Sequence, residues 1–289
     1  MDISDYGDIT YEVEERIATI RLDRPQARNG YTLRMSDELE DALQRADRDE
    51  DVRVVILTGA GTDFCVGADL SGGGFDVSAG DETSGQDHWQ EPAGRCSRTI
   101  HLMNTPVIAA IHGAAVGGGL TITLSCDFRL AATDSRFGLV FTRRGIYPEG
   151  ASAWYLPRLV GMTRASDWMI SGRIFDADEA LASGLLTSVH APHDVHRAAR
   201  ALAHDIRDTT APVSVAVTRQ MLARLAGEPS PFPAHEVDSQ LIRDLPTNPD
   251  AIEGVRSFLD KRPPNFPGTV PHDLPSSLPW TDQPTRTST

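Results

Sequence analysis

The chain has 289 residues, 40% of them hydrophobic, which suits one large domain or two small ones with a substantial core. Its formal net charge of −14 argues against nucleic acid as a partner, and no apolar run approaches the ~20 residues that span a bilayer. The acidic start, Met1 to Asp5, lacks the apolar core of a signal peptide, and three cysteines without metal-ligand spacing favour a reduced cytoplasm. We therefore expect a cytoplasmic protein without a membrane segment or a metal site.

The first half of the chain alternates between strand and helix patterns. Residues 10–13 and 17–22 read as two strands, and the apolar spacing over 34–48 predicts one face of a helix. Residues 52–59 then read as a buried strand, so the alternation predicts an α/β fold with a partly parallel sheet. Residues 71–94 interrupt it with a glycine-rich, acidic stretch, which is either a mobile flap beside a site or a surface insertion.

The second half is predicted to become mainly helical. A helix is expected over 151–159, and from about residue 194 the chain reads as helical with a break at 227–233. Residues 267–289 are rich in proline, serine and threonine, with few apolar anchors. We interpret them as a tail that is ordered only if it docks on a neighbour.

Two buried strands each end in a glycine-bearing turn. Strand 52–59 leads into Phe64 to Leu70, and the apolar run 107–111 leads into Gly113 to Leu120. Glycines leave backbone N–H groups uncovered, and at the start of a helix these groups have no intrahelical partner. Taken singly, each turn could simply serve close packing of helix on strand. As a pair, the two turns can converge on one oxygen, as an oxyanion hole requires.

This pair of turns resembles the crotonase, or enoyl-CoA hydratase/isomerase, superfamily. Further matching segments follow in order between residues 8 and about 266, at 24–29, 134–138, 156–161, 177–185 and 253–262. The resemblance implies an α/β fold with a ββα spiral core and a C-terminal helical trimerisation region. We expect the core and its CoA site over 1–200, the helical region over 201–266 and the tail over 267–289, in a homotrimer or a dimer of trimers.

The resemblance also implies a site for acyl-CoA thioesters, in which CoA enters as part of the substrate and no further cofactor is needed. The thioester oxygen would lie between the N–H groups of Ala68 and Gly118, and Asp69 would cap the first turn. The residues placed at the substrate are Arg24, Arg28, Gly67, Asp69, Leu70, Gly117, Thr121, Phe141, Phe258 and Lys261. The first two belong to the family's early loop at CoA. The last two match contacts from a neighbouring subunit to the adenine and phosphate.

The pattern of carboxylates differs from that of the family's hydratases. Their two glutamates would stand at Thr121 and Phe141 here, so both are missing. Glu149, in a Pro-Glu-Gly context, instead resembles the single glutamate of the Δ3,Δ2-enoyl-CoA isomerases. We expect Glu149 to remove a proton from C2 and return it to C4, with Ala68 and Gly118 stabilising the dienolate. The alternative is that Glu149 is a surface carboxylate or only caps the helix that follows.

Several functions stay open at this level. The first hypothesis is isomerisation of 3-enoyl-CoA to 2-enoyl-CoA. The second is another reaction of the same family, namely hydration, dehydration or hydrolysis, since one fold carries many chemistries. The third is a non-catalytic acyl-CoA-binding protein. A nucleotide-binding dehydrogenase is disfavoured, because the glycine turn lacks the Gly-x-Gly-x-x-Gly spacing.

Overall fold

The computed structural model describes residues 1–73 and 90–280. Its strands are β1 (Ile9–Glu14), β2 (Ile17–Leu22), β3 (Val54–Gly59), β4 (Val107–Ile111), β5 (Ala114–Val116), β6 (Phe128–Ala132), β7 (Arg136–Gly138), β8 (Ile174–Asp176) and β9 (Ser188–His190). Its helices are α1 (Leu33–Arg48), α2 (Pro92–Leu102), α3 (Gly118–Thr121), α4 (Ser152–Ser171), α5 (Ala177–Ala182), α6 (Val195–Thr209), α7 (Pro212–Leu225), α8 (Phe232–Asp244) and α9 (Pro249–Asp260). In these described ranges no helix combines the length and apolarity needed to cross a bilayer.

The main sheet has the strand order β1-β2-β3-β4-β6-β9, and every pairing except β1 with β2 is parallel. Every residue of β3 and β4 is buried, as in a sheet that is covered on both faces. Val55 and Leu57 point to the core shared with α1, whereas Val54 and Ile56 pack with α6. The predicted α/β fold with a largely parallel sheet is therefore confirmed.

A smaller sheet, ordered β5-β7-β8, continues from the end of β4. The backbone turns at Gly113, whose φ of +56° favours glycine, and then forms β5 parallel to β7. Strand β5 ends at Gly117, and α3 begins directly after it. The glycine-rich segment thus runs from the end of β4 through the short strand β5 to the start of α3.

Some boundaries differ from the sequence prediction. Most of the predicted loop 71–94 lies outside the described residues, but its last part already belongs to α2, because Pro92 occupies the first turn of that helix. The helix expected over 151–159 extends to Ser171, with a kink at the non-helical Gly161. The predicted boundary at residue 200 falls inside α6, which packs on the main sheet.

The described part of the C-terminal tail packs on its own chain. Leu278 is buried in a cluster with Val213 and Val217 of α7 and Val237 of α8. The guanidinium of Arg224 lies 5.5 Å from the ring centroid of Trp280. We expected this segment to need a neighbouring surface, and through residue 280 that surface is α7 and α8 of the same chain. Residues 281–289 lie outside the described range.

Candidate active site

The two glycine-bearing turns lie side by side. Phe64 N–H donates to His112 O at 2.8 Å, and Cys65 N–H donates to Ala114 O at 3.0 Å, so the first turn is held along β5. A side chain at Gly67 would place its Cβ 2.9 Å from the carbonyl oxygen of Val116. The close approach of the two turns therefore requires glycine at residue 67, where φ is also +92°.

Each turn presents a backbone N–H that has no partner within the described residues. Tyr31 N–H donates to Gly67 O at 2.8 Å and Asp69 N–H donates to Tyr31 O at 2.9 Å, which fixes the peptide groups around Ala68. Gly118 is the first residue of α3, so its N–H has no intrahelical acceptor. Among the acceptors in residues 1–73 and 90–280, none takes the N–H of Ala68 or Gly118. These two donors are available to an oxygen of a ligand.

An ion pair supports the first turn. Arg24 Nη2 donates to Asp69 Oδ2 at 2.9 Å, and the other oxygen of Asp69 accepts the N–H of Ser71 at 2.9 Å. The hydrogen bonds from Ser71 and then Arg24 lower the pKa of Asp69 to about 2. Asp69 therefore caps the turn by accepting the N–H of Ser71. Arg24 is oriented toward this carboxylate and the Gly30 carbonyl, a structural role that the sequence did not indicate.

The other predicted CoA contacts lie on the surface. The side chain of Arg28 is 61% exposed, and its Nε is 2.8 Å from Asp63 Oδ2. Leu70 is exposed beside the first turn. Phe258, which is 81% exposed, and Lys261 lie at the end of α9. That Phe258 and Lys261 contact the CoA bound by a neighbouring subunit stays a prediction.

Glu149 faces the second turn. Its Oε1 accepts a hydrogen bond from Thr121 Oγ1 at 2.6 Å and lies 3.6 Å from where a Cβ on Gly118 would be. The residue that precedes α4 is Ala151, and no side chain caps that helix. The carboxyl group of Glu149 is therefore not a helix cap; it lies beside Gly118.

Glu91 is a second carboxyl group beside this site, and the sequence analysis missed it. Gly150 N–H donates to Glu91 Oε1 at 2.7 Å. The other oxygen, Oε2, is buried without a partner in the described part of the chain. Tyr31 and Ser36 both donate to the Pro92 carbonyl, which anchors the start of α2 and so positions Glu91. A lone acidic residue before a helix-starting proline was the only signal in the sequence.

The environment of Glu149 favours its neutral form. Burial, and next the charge of Glu91, raise the pKa of Glu149 to about 8, while the hydrogen bond from Thr121 opposes the rise. No arginine or lysine within the described ranges forms an ion pair with either carboxyl group. A carboxyl group with such a pKa can both accept and return a proton near neutral pH.

The remaining wall is apolar. Phe141 is buried, and its Cε1 lies 4.0 Å from where a Cβ on Gly117 would be. Thr121 is fully buried. Both positions at which the resembling hydratases carry a glutamate thus lie at the site, and neither supplies a carboxylate here.

Comparisons with known proteins agree with this geometry. A sequence model of the family described as enoyl-CoA hydratase/isomerase matches residues 12–269. "Enoyl-CoA hydratase AFT3-1" of Alternaria alternata is 36% identical over 255 residues, covering 88% of this chain and 84% of that protein. A probable enoyl-CoA hydratase of Rhodobacter capsulatus is 36% identical over 264 residues, covering 91% and 99%.

Solved structures of the same family are also similar to this chain. The crystal structure of a probable enoyl-CoA hydratase/isomerase from Mycobacterium abscessus superimposes with a TM-score of 0.80 at 34% identity, over 90% of this chain and 98% of that chain. The residues matched by the family model, 12–269, include both glycine-bearing turns. The chain therefore belongs to the enoyl-CoA hydratase/isomerase, or crotonase, family of acyl-CoA enzymes.

Proposed function

We propose that this enzyme isomerises 3-enoyl-CoA to 2-enoyl-CoA, with Glu149 as the proton carrier. Glu149 accepts a proton from C2, and the electron pair of that C–H bond delocalises to the thioester oxygen. The N–H groups of Ala68 and Gly118 stabilise this dienolate, and a comparable donor is worth ~3–4 kcal/mol in other enzymes. Glu149 then returns the proton to C4, so the double bond moves and no cofactor is consumed. CoA takes part only as a portion of the substrate.

One observation carries this proposal: the carboxyl group of Glu149 faces Gly118 with a pKa raised to about 8. Isomerisation needs one group that takes up and releases the same proton. The buried ring of Phe141 supports it further, because an apolar wall is a poor site for positioning a water molecule.

A second candidate is hydration, or its reverse. The presence of Glu91 beside Glu149 favours it, because two carboxyl groups can divide the handling of one water molecule. The two relatives described above are also named as hydratases. Hydrolysis of an acyl-CoA and simple acyl-CoA binding would use the same thioester site. In either case the protein would not isomerise a 3-enoyl-CoA.

The assembly and location belong to the same proposal. Exposed apolar side chains on α9 support a homotrimer or a dimer of trimers, in which Phe258 and Lys261 meet the CoA of a neighbouring subunit. Arg28 is an exposed cation four residues after Arg24 of the first turn's ion pair, and we propose that it meets the CoA phosphates. The three cysteines are buried thiols, which supports a cytoplasmic location.

The test is turnover of a 3-enoyl-CoA, followed by the absorbance of the conjugated thioester. We expect a rise with wild-type enzyme and a loss on the order of 10²–10⁴-fold in Glu149→Gln. Glu236→Gln, which removes an exposed carboxylate from α8, is the matched control and should keep wild-type turnover. Loss of absorbance from a 2-enoyl-CoA would instead support hydration. Tight binding without turnover of either substrate would support a binding protein.

A further inference from the structure

Glu91 and Glu149 are each held by one hydrogen bond from a neighbouring segment. Glu91 Oε1 accepts the N–H of Gly150, and Glu149 Oε1 accepts the hydroxyl of Thr121. These bonds come from different elements, since Glu91 precedes α2 whereas Thr121 ends α3. Each carboxyl group therefore has one oxygen fixed by a neutral donor.

The other oxygen of Glu91 is the exception. Glu91 Oε2 is buried, and no donor in the described residues reaches it. A buried carboxylate oxygen without a hydrogen bond is costly, so native proteins rarely leave one. Glu91 Oε1 accepts the N–H of Gly150, which directly follows Glu149, so the two carboxyl groups are neighbours. Glu91 raises the pKa of Glu149 by its charge and by a hydrogen bond. A hydrogen bond between two carboxyl groups requires that one of them carries a proton.

In residues 1–73 and 90–280, no arginine or lysine forms an ion pair with Glu91 or Glu149. Within the described part of the chain, the ionisable groups that interact electrostatically with Glu149 are Glu91, Tyr31 and Cys65, and all three are acids. Arg95, four residues after Glu91, is paired with Asp37 and Glu40. Two interacting, partly buried carboxylates do not both ionise easily when no cation of the described residues pairs with either, so the pair retains a proton that a lone glutamate would lose.

We propose that Glu91 is a positioning residue that shares one proton with Glu149 and thereby sets the pH above which Glu149 can accept a proton from the substrate. The inference rests on the proposed role of Glu149 as proton carrier. Through Gly150, Glu91 also fixes the turn that aims Glu149 at Gly118. In each turnover Glu149 gains the C2 proton and gives it back at C4, so the pair ends with the proton count it began with.

The kinetic test is the pH profile of kcat/KM for the 3-enoyl-CoA in wild type and Glu91→Gln. Glutamine keeps an acceptor for Gly150 N–H and removes the negative charge. Because that charge favours the protonated form of Glu149, its removal should move the acidic limb, near pH 8 in wild type, to lower pH by on the order of one pH unit. A purely structural role predicts an unmoved limb, and that result would overturn the proposal. Glu236→Gln should leave the limb in place.

A second measurement does not depend on turnover. Carbon-13 NMR of labelled glutamate carboxyl groups, without substrate, should show one group titrating near pH 8 in the wild-type protein. That titration should disappear in Glu149→Gln and move down in Glu91→Gln. If the wild-type protein shows none, the shared proton is refuted even where Glu149→Gln abolishes isomerisation. If the titration is present but no isomerisation occurs, the shared proton stands and the proposed function fails.

Discussion

The hydroxyl of Thr121 is the contact that opposes the rise in the pKa of Glu149. It donates to Glu149 Oε1 at 2.6 Å and so favours the ionised carboxylate. Thr121→Val keeps the shape of this buried side chain but removes the donor. Since a hydrogen bond to a charged group contributes ~1.5–3 kcal/mol, we expect the pKa of Glu149 to be higher by about one or more in this variant.

The higher pKa of Glu149 in Thr121→Val should lower the activity at neutral pH. A higher pKa leaves less Glu149 ionised at neutral pH, so the acidic limb of kcat/KM should move to higher pH in Thr121→Val. Each increase of about one in the pKa of Glu149 should lower turnover at pH 7 roughly tenfold. Thr121→Ser retains the hydroxyl and serves as the control. Equal profiles for the valine and serine variants would show that the hydrogen bond does not tune the base.

The elements that carry the oxyanion donors depend on close contact between two turns. A Cβ at Gly67 would lie 2.9 Å from Val116 O, and the φ of +92° there is unfavourable for other residues. Gly67→Ala should therefore lower the free energy of unfolding by ~1–3 kcal/mol, and it should displace Ala68 N–H and reduce kcat. Urea unfolding measures the first effect. Gly227→Ala, which has open space around the added Cβ, is the control. Equal stability of the two variants would argue against a tight contact between the turns.

The sequence predicts these elements better than the contacts between them. The apolar runs of β3 and β4, and the glycines after them, are local signals, so both the parallel sheet and the paired turns could be predicted. Glu91 could not, because its partner Gly150 lies 59 residues away in the chain. Arg24 likewise reads as a free cation, although Asp69, 45 residues later, pairs with it. Pairings of this kind depend on how the fold brings distant segments together.

At the scale of the whole molecule, the C-terminal helices differ in exposure: α7 and α8 are partly covered by the tail, whereas α9 has an exposed apolar face. The described tail covers part of α7 and α8 through Leu278 and its neighbours. In contrast, α9 exposes several large apolar side chains, namely Ile252, Val255, Phe258 and Leu259. A run of exposed apolar residues on one helix is typical of a surface that meets a partner. A second copy of this chain is the partner that the family resemblance implies.

A charge on that face should separate the copies and weaken the site. We expect the wild-type protein to have about three or six times the 31.4 kDa mass of one chain, and Val255→Glu to approach the mass of a single chain by light scattering. If Phe258 and Lys261 contact the CoA of a neighbouring subunit, KM for the CoA ester should rise on the order of tenfold, which corresponds to ~1.4 kcal/mol. An N-acetylcysteamine thioester, which lacks adenine and phosphate, should keep its kcat/KM.

Val13→Glu, on the edge strand β1, should change neither mass nor KM. Equal losses with both substrates would mean that α9 supports folding rather than CoA binding, and a monomeric wild type would exclude the shared site.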